Sequence, residues 1–192
     1  MVRVFKIGGN VIDNPEMLER FAADFAAIPG PKVLIHGGGA IASKMQKELG
    51  QQPLMIGGRR VTDADTLRIV SMVYAGLTNR SVVALLQKNG CNAIGLSGAD
   101  GDVIRSHRRL PIYSEAAGTV VDYGFVGDVD NVDGDLLIRL TGMDMVPVIC
   151  AITHDGNGQL LNTNADTVAQ SVATELASRT PTELVFCFEK NG

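Results

Sequence analysis

Short apolar runs closed by glycine or proline alternate along this chain with stretches in which apolar residues recur every three or four positions. The first run, Val2-Arg3-Val4-Phe5-Lys6-Ile7, ends at Gly8-Gly9 and reads as a strand. Asn14-Pro15 then offers an N-cap and a proline at the first helical position. Met17, Leu18, Phe21, Ala22 and Phe25 follow with helical spacing, and Pro29-Gly30-Pro31 stops the pattern. Val33-Leu34-Ile35 is a short continuous apolar run, as expected of a strand covered on both faces. Strand, helix and strand together make a βαβ unit, the mark of a parallel sheet.

The same reading predicts a helix from Ala40 to Leu49, ended by Gly50, and a hairpin from Leu54 to Arg60 turning at Gly57-Gly58. Thr62-Asp63-Ala64-Asp65 has the form of a capping box before a helix carrying Leu67, Ile69, Val70 and Val73. A separate helix is predicted from Thr78 to Lys88, then a strand at Ala93–Leu96. From Asp100 to Val132 short strands and glycine turns suggest an antiparallel flap. A short helix over Asp133–Thr141, a buried strand over Val146–Ile149 and a hairpin turning at Asp155-Gly156-Asn157-Gly158 follow. The pattern ends with a helix over Asn164–Ala177 and a strand over Leu184–Phe188. The sum is an α/β protein with a mostly parallel central sheet.

Composition narrows the function. The 192 residues are 45% apolar and 20% charged, with a net charge of −4, so there is no basic field for nucleic acid. No continuous apolar run approaches the ~20 residues that span a bilayer, so no membrane partner is expected. The chain enters its first strand at once, without room for a signal peptide. Cys91, Cys150 and Cys187 lie far apart with no C-x-x-C spacing and read as reduced thiols of a cytoplasmic protein.

The chemistry concentrates at two glycine turns. Lys6-Ile7-Gly8-Gly9-Asn10 and His36-Gly37-Gly38-Gly39 each close a strand and open a helix. Exposed backbone N–H groups at such a point, with the partial positive charge of a helix N-terminus, suit an anionic group or a phosphoryl in flight. Lys6 adds a full positive charge; a lysine at a strand end is otherwise a surface residue. Three successive glycines permit close backbone approach, where a tight turn alone needs one. His36 reads as a residue that orders the loop rather than a base. Arg59-Arg60 offers a fork-shaped group for a carboxylate, or a solvated pair. Asn162-Thr163-Asn164-Ala165-Asp166 is explained by capping alone, or adds a substrate partner in Asn162 and a lysine organiser in Asp166.

In this order the segments resemble the amino-acid kinase family, and within it most closely the N-acetyl-L-glutamate kinases. The resemblance rests on the two glycine turns and on Gly58-Arg59-Arg60-Val61-Thr62-Asp63. It extends through Gly95-Leu96-Ser97-Gly98-Ala99-Asp100-Gly101 and Gly124-Phe125-Val126-Gly127-Asp128-Val129 to Leu161-Asn162-Thr163-Asn164-Ala165-Asp166. It implies a three-layer αβα sandwich and ATP-dependent phosphorylation of a side-chain carboxylate to an acyl phosphate, with Mg²⁺ arriving on the nucleotide. Lys6 would stabilise the transferring phosphoryl, Gly8, Gly9 and Gly38 would line it, and Asp166 would hold Lys6. Arg60 would clamp the substrate α-carboxylate, with Asn162 and the Gly37-Gly38 backbone binding the rest.

The resemblance also implies a domain division. Residues 1–178 would form the acylglutamate-binding and dimerisation domain. Residues 179–192 would open a nucleotide-binding half whose remainder, with its adenine pocket and second catalytic lysine, is not found in the chain. There Phe186-Cys187-Phe188-Glu189-Lys190 departs from the usual apolar strand. No helix precedes the first strand, as in the unregulated homodimers of the family. Alternative readings are an N-succinyl-L-glutamate substrate, with Arg59, Arg105, Arg108 or Arg109 meeting the extra carboxylate, or a non-catalytic amino-acid-binding fragment.

Overall fold

The structure, a computed structural model, describes residues 1–188. Glu189 and Lys190, part of the expected entry into the nucleotide-binding half, lie outside the described residues. The chain runs through β1 (Val2–Ile7), α1 (Gly9–Asp13), α2 (Pro15–Ala27), β2 (Lys32–His36), α3 (Gly39–Glu48) and the hairpin β3 (Met55–Ile56) and β4 (Arg59–Arg60). Next come α4 (Ala64–Ser71), a π-helical segment (Met72–Thr78), α5 (Asn79–Lys88) and β5 (Ala93–Leu96). Then follow β6 (Ile104–Arg108), β7 (Ile112–Ser114), β8 (Thr119–Val121), β9 (Gly127–Val132) and α6 (Gly134–Gly142). The chain continues with β10 (Val146–Cys150), β11 (Ile152–His154), β12 (Leu160–Asn162), α7 (Ala165–Ala177) and β13 (Thr182–Cys187).

Five parallel strands form the central sheet in the order β13-β1-β2-β10-β5. Alternation along the strands sorts its two faces. Val2, Val4, Val33 and Ile35 pack with Leu137, Val168, Val172 and Leu176 of α6 and α7. Phe5, Ile7, Leu34 and Val148 pack with residues of α1, α2 and α5, among them Val11, Leu18, Phe25, Val82 and Leu86. This is the expected three-layer sandwich. The stretch expected to be an antiparallel flap divides in two. The β7–β8 hairpin stands apart, while β6 and β9 join β11 and β12 in a second sheet of order β12-β11-β6-β9.

The caps at Asn14 and Asn164 are present: Asn14 accepts from the Met17 N–H at 3.1 Å and Asn164 from Asp166 at 2.9 Å. The capping box read over Thr62–Asp65 shifts by one residue: Asp63 is the cap, accepting from the Thr66 N–H at 2.8 Å, while Thr62 Oγ1 donates to the Arg60 carbonyl. The helix break near Val73 also needs correction. The helices expected to be separate around Val73 and Thr78 are one continuous run, Ala64–Lys88, joined through the π-helical segment. By length and mean apolar composition alone this 25-residue run is sufficient to cross a membrane, although no continuous apolar run within it is that long. Its apolar residues serve the fold: Leu67, Ile69, Val70, Val73, Val82 and Leu86 are all buried in core clusters.

Candidate active site

The site forms where β1, β2 and β12 end and α3 and α7 begin. In β1 the side chain of Lys6 shares the face of Val2 and Val4, so it points toward α7. Its Nζ meets Asp166 Oδ1 at 2.7 Å in the first turn of that helix. Asp166 is 56% exposed, so the pair holds a geometry more than it stabilises the fold.

The second glycine turn faces the same place. Gly38 has φ +153°, a conformation L side chains rarely adopt, and a Cβ there would lie 3.0 Å from the Tyr74 ring. Gly37, Gly38, Arg60 and Asn162 all line one cavity of about 200 Å³, together with Gly39, Tyr74, Val126 and Ala165. Four residues expected to bind the substrate, far apart in sequence, thus converge. Lys6 and Asp166 stand beside it, Asp166 following directly on Ala165. Gly8 departs from expectation: its N–H turns to the Cys187 carbonyl at 3.4 Å, an interaction with β13 that takes its donor away from a ligand.

Arg60 is buried, and much of its guanidinium is held by α3. One terminal nitrogen donates to the Gln46 side chain, the other to the Gly39 carbonyl at 2.9 Å and Ser43 Oγ at 2.7 Å. Gln46 in turn donates to Thr66 Oγ1 at 3.1 Å, tying Arg60 to the start of α4. The Tyr74 hydroxyl lies beside the same guanidinium; burial raises its pKa, and Arg60 pulls it the other way. Asn162 Nδ2 donates to Thr62 Oγ1 at 3.0 Å, and Thr62 donates to the Arg60 carbonyl at 3.1 Å. The Gly124–Val126 stretch closes this wall: Phe125 N–H reaches the Thr62 carbonyl at 2.7 Å and Asn162 N–H the Phe125 carbonyl at 2.9 Å. A Cβ at Gly124 would lie 2.2 Å from the Thr62 oxygen, so only glycine allows this approach.

Gln46, Ser43 and Tyr74 were not singled out from the sequence, and Thr62 was read only as part of a helix cap and of a family segment. Gln46 and Tyr74 lie in regular helical patterns, where a buried polar side chain leaves no local mark. A larger hollow of about 730 Å³ opens beneath the β7–β8 hairpin and shares only Arg59 with the site. The other arginines considered for an extra carboxylate are paired within the chain: Arg105 with Asp102, Arg108 with Asp122 and Arg109 with Asp128. His36 is fully buried, that burial pushes its pKa down to about 4, and both ring nitrogens are engaged, by the Gly37 carbonyl and by Asn79.

The amino acid kinase family pattern matches residues 1–191. The chain belongs to this family. Two curated members of the family, the acetylglutamate kinases of Cytophaga hutchinsonii and Bacteroides fragilis, are each 50% identical to it over 189 residues. That alignment covers 98% of this chain and 69% and 70% of theirs. Among solved structures, a Streptococcus mutans protein superposes with TM-score 0.73 at 26% identity, over 92% of this chain and 69% of that one. An N-acetylglutamate synthase from Neisseria gonorrhoeae, complexed with coenzyme A and N-acetyl-glutamate, matches all of this chain and 42% of its own at TM-score 0.80 and 22% identity, a likeness of fold.

Proposed function

We propose that this protein transfers the γ-phosphoryl group of ATP to the γ-carboxylate of N-acetyl-L-glutamate, a step of arginine biosynthesis. The observation that carries this reading is the convergence of Arg60, Asn162 and the Gly37-Gly38 backbone on one cavity beside the Lys6–Asp166 pair. The names of the relatives favour the acetylated substrate over the succinylated one. In this reading Arg60 and Asn162 bind the substrate, Arg60 through its α-carboxylate. A γ-carboxylate oxygen then attacks the γ-phosphorus, forming the acyl-phosphate bond as the bond to the ADP oxygen breaks. No proton has to move, so positioning and charge carry the reaction. Lys6 meets the charge on the phosphoryl oxygens, held in place by Asp166. The N–H groups of Gly9 and Gly38 donate to those oxygens.

Kinase chemistry of this family implies ATP. Mg²⁺ would enter on the nucleotide phosphates. Among the described residues no group of three His, Cys, Asp or Glu side chains is placed to hold a metal, and no step is assigned to it. Residues 1–178 are taken as the acylglutamate-binding and dimerisation domain and 179–192 as the opening of the nucleotide-binding part. The exposed Met72 and Leu77 on the Ala64–Lys88 run support a homodimer, which light scattering after size exclusion would test. The free cysteines suit a cytoplasmic setting.

Trapping the acyl phosphate with hydroxylamine tests the reaction. ATP and N-acetyl-L-glutamate should give the hydroxamate, and N-succinyl-L-glutamate, glutamate and aspartate should give much less; ADP release, which also reads carbamate and UMP, should be largest with N-acetyl-L-glutamate. Preference for any of these would overturn the substrate assignment. Calorimetry showing N-acetyl-L-glutamate binding but no ATP binding would mark an amino-acid-binding module instead.

A further inference from the structure

We propose that His36 and Asn79 are positioning residues for this phosphoryl transfer: they orient the Gly37–Gly38 peptide so that its N–H faces the acceptor cavity. The proposal rests on the reading of the site as a phosphoryl-transfer site.

It starts from strand alternation. Val33 and Ile35 of β2 point toward α7, which sends Leu34 and His36 toward α5. The His36 ring is fully buried there, touching the loop on one side and the first residue of α5 on the other. Its Nδ1 lies 2.8 Å from the Gly37 carbonyl and its Nε2 lies 2.9 Å from Asn79 Nδ2.

The proton positions follow by elimination. Asn79 Nδ2 also lies 2.9 Å from the Val148 carbonyl in β10. A carbonyl oxygen only accepts, so the amide nitrogen must be the atom facing it, which settles the orientation of the Asn79 side chain. That nitrogen donates its second hydrogen to His36 Nε2, which therefore carries none. The one ring proton sits on Nδ1 and is donated to the Gly37 carbonyl. Val148 thus sets Asn79, Asn79 sets the tautomer of His36, and His36 sets the Gly37 carbonyl.

Across a trans peptide the C=O and N–H point in opposite directions, and the described backbone has no cis bond. With the Gly37 oxygen drawn to the buried ring, the Gly38 N–H points away from it. Gly38 lines the cavity, and among the described residues its N–H has no hydrogen-bond acceptor. Two further observations fit a built device. Asn79 Oδ1 is buried with no partner, so this amide sits here for its nitrogen. A Cβ at position 95 would lie 2.0 Å from that oxygen, so the place of Asn79 depends on Gly95. During transfer the Gly38 N–H donates to a non-bridging phosphoryl oxygen, while the His36 proton stays on Nδ1.

The test uses the full chain and two measurements. In ¹⁵N-histidine NMR of the wild type at pH 7, His36 should show a bonded proton on Nδ1 and none on Nε2. A proton on Nε2, or on both, would overturn the proposal without reference to activity. In kinetics, Asn79→Asp places a carboxylate where it draws the proton to Nε2. It should lower kcat about 100-fold, the order seen on losing one preorganised donor, with KM for N-acetyl-L-glutamate within about threefold. His36→Asn, which can still donate to the Gly37 carbonyl, should retain more kcat than His36→Leu. Wild-type turnover separates the two readings. A wild type that cannot phosphorylate any acylglutamate overturns the reaction and this role with it. An active wild type with folded variants of unchanged kcat overturns only the role of His36 and Asn79.

Discussion

At the scale of single residues, the site is a small set of charged and backbone groups held by buried polar side chains. In the proposed reaction Lys6 meets charge that develops on the phosphoryl group, so Lys6→Ala should cost kcat about 100-fold or more while changing KM for the acylglutamate little. Steady-state kinetics in both substrates checks this, and near-normal turnover would remove Lys6 from the mechanism. In the same proposal Arg60 acts on the bound substrate in both ground and transition states. Arg60→Ala should therefore raise KM for N-acetyl-L-glutamate about tenfold or more, with a smaller effect on kcat. Leaving Gln46, Ser43 and the Gly39 carbonyl without their donor would also lower stability, so Arg60→Lys is the gentler comparison. Lys6, Gly37, Gly38, Arg60, Asn162 and Asp166 were legible because each belongs to a short segment of distinctive type. Gln46, Tyr74 and Asn79 were not, because what marks them is a partner elsewhere in the fold.

At the scale of elements, turns and caps followed local chemistry closely. Gly57-Gly58 turns the β3–β4 hairpin with φ of +55° and +75°, and Asn14 and Asn164 cap their helices as expected, while Asp63 takes the cap expected at Thr62. The end of α2 was less visible. Lys32 opens β2, yet it is buried, and its Nζ donates to the carbonyls of Phe25 at 2.8 Å, Ala26 at 3.2 Å and Ile28. It closes the C-terminus of α2 with a full charge against the negative end of the helix. Lys32→Met should keep the stem's packing but strand those oxygens, and destabilise by about 1–3 kcal/mol. Urea unfolding of the two proteins measures this; equal midpoints would mean that water satisfies the carbonyls. The π-helical segment was also unseen. One extra residue in a turn shifts register without altering composition, and here it lies between α4 and α5 with Tyr74 and Thr78 under Gly38.

At the scale of the whole molecule, the buried neutral His36 links stability to pH. Its pKa is about 4 in the folded protein against an ordinary 6.5. Between those values the unfolded chain binds a proton that the native state does not. Stability from this group is therefore complete above pH 6.5 and falls as the pH drops toward 4, by about 3 kcal/mol. Acid-sensitive carboxylates add to this in every variant, so the comparison with His36→Asn isolates the histidine. The variant should lose less stability between pH 7.5 and 4.5 in urea unfolding; an equal loss would show that His36 is not held neutral. The order of strands and helices, the two glycine turns and the segments of the candidate site were determined by the sequence itself. Strand period, turn geometry and capping all act between residues a few positions apart. Only the tertiary structure decided that Ala64–Lys88 is one helix, that α3 grips Arg60, and that His36 is held between Gly37 and Asn79. The Gln46–Arg60 and His36–Asn79 contacts join residues 14 and 43 positions apart, and their direction depends on which face of a sheet or helix each side chain takes once the layers close.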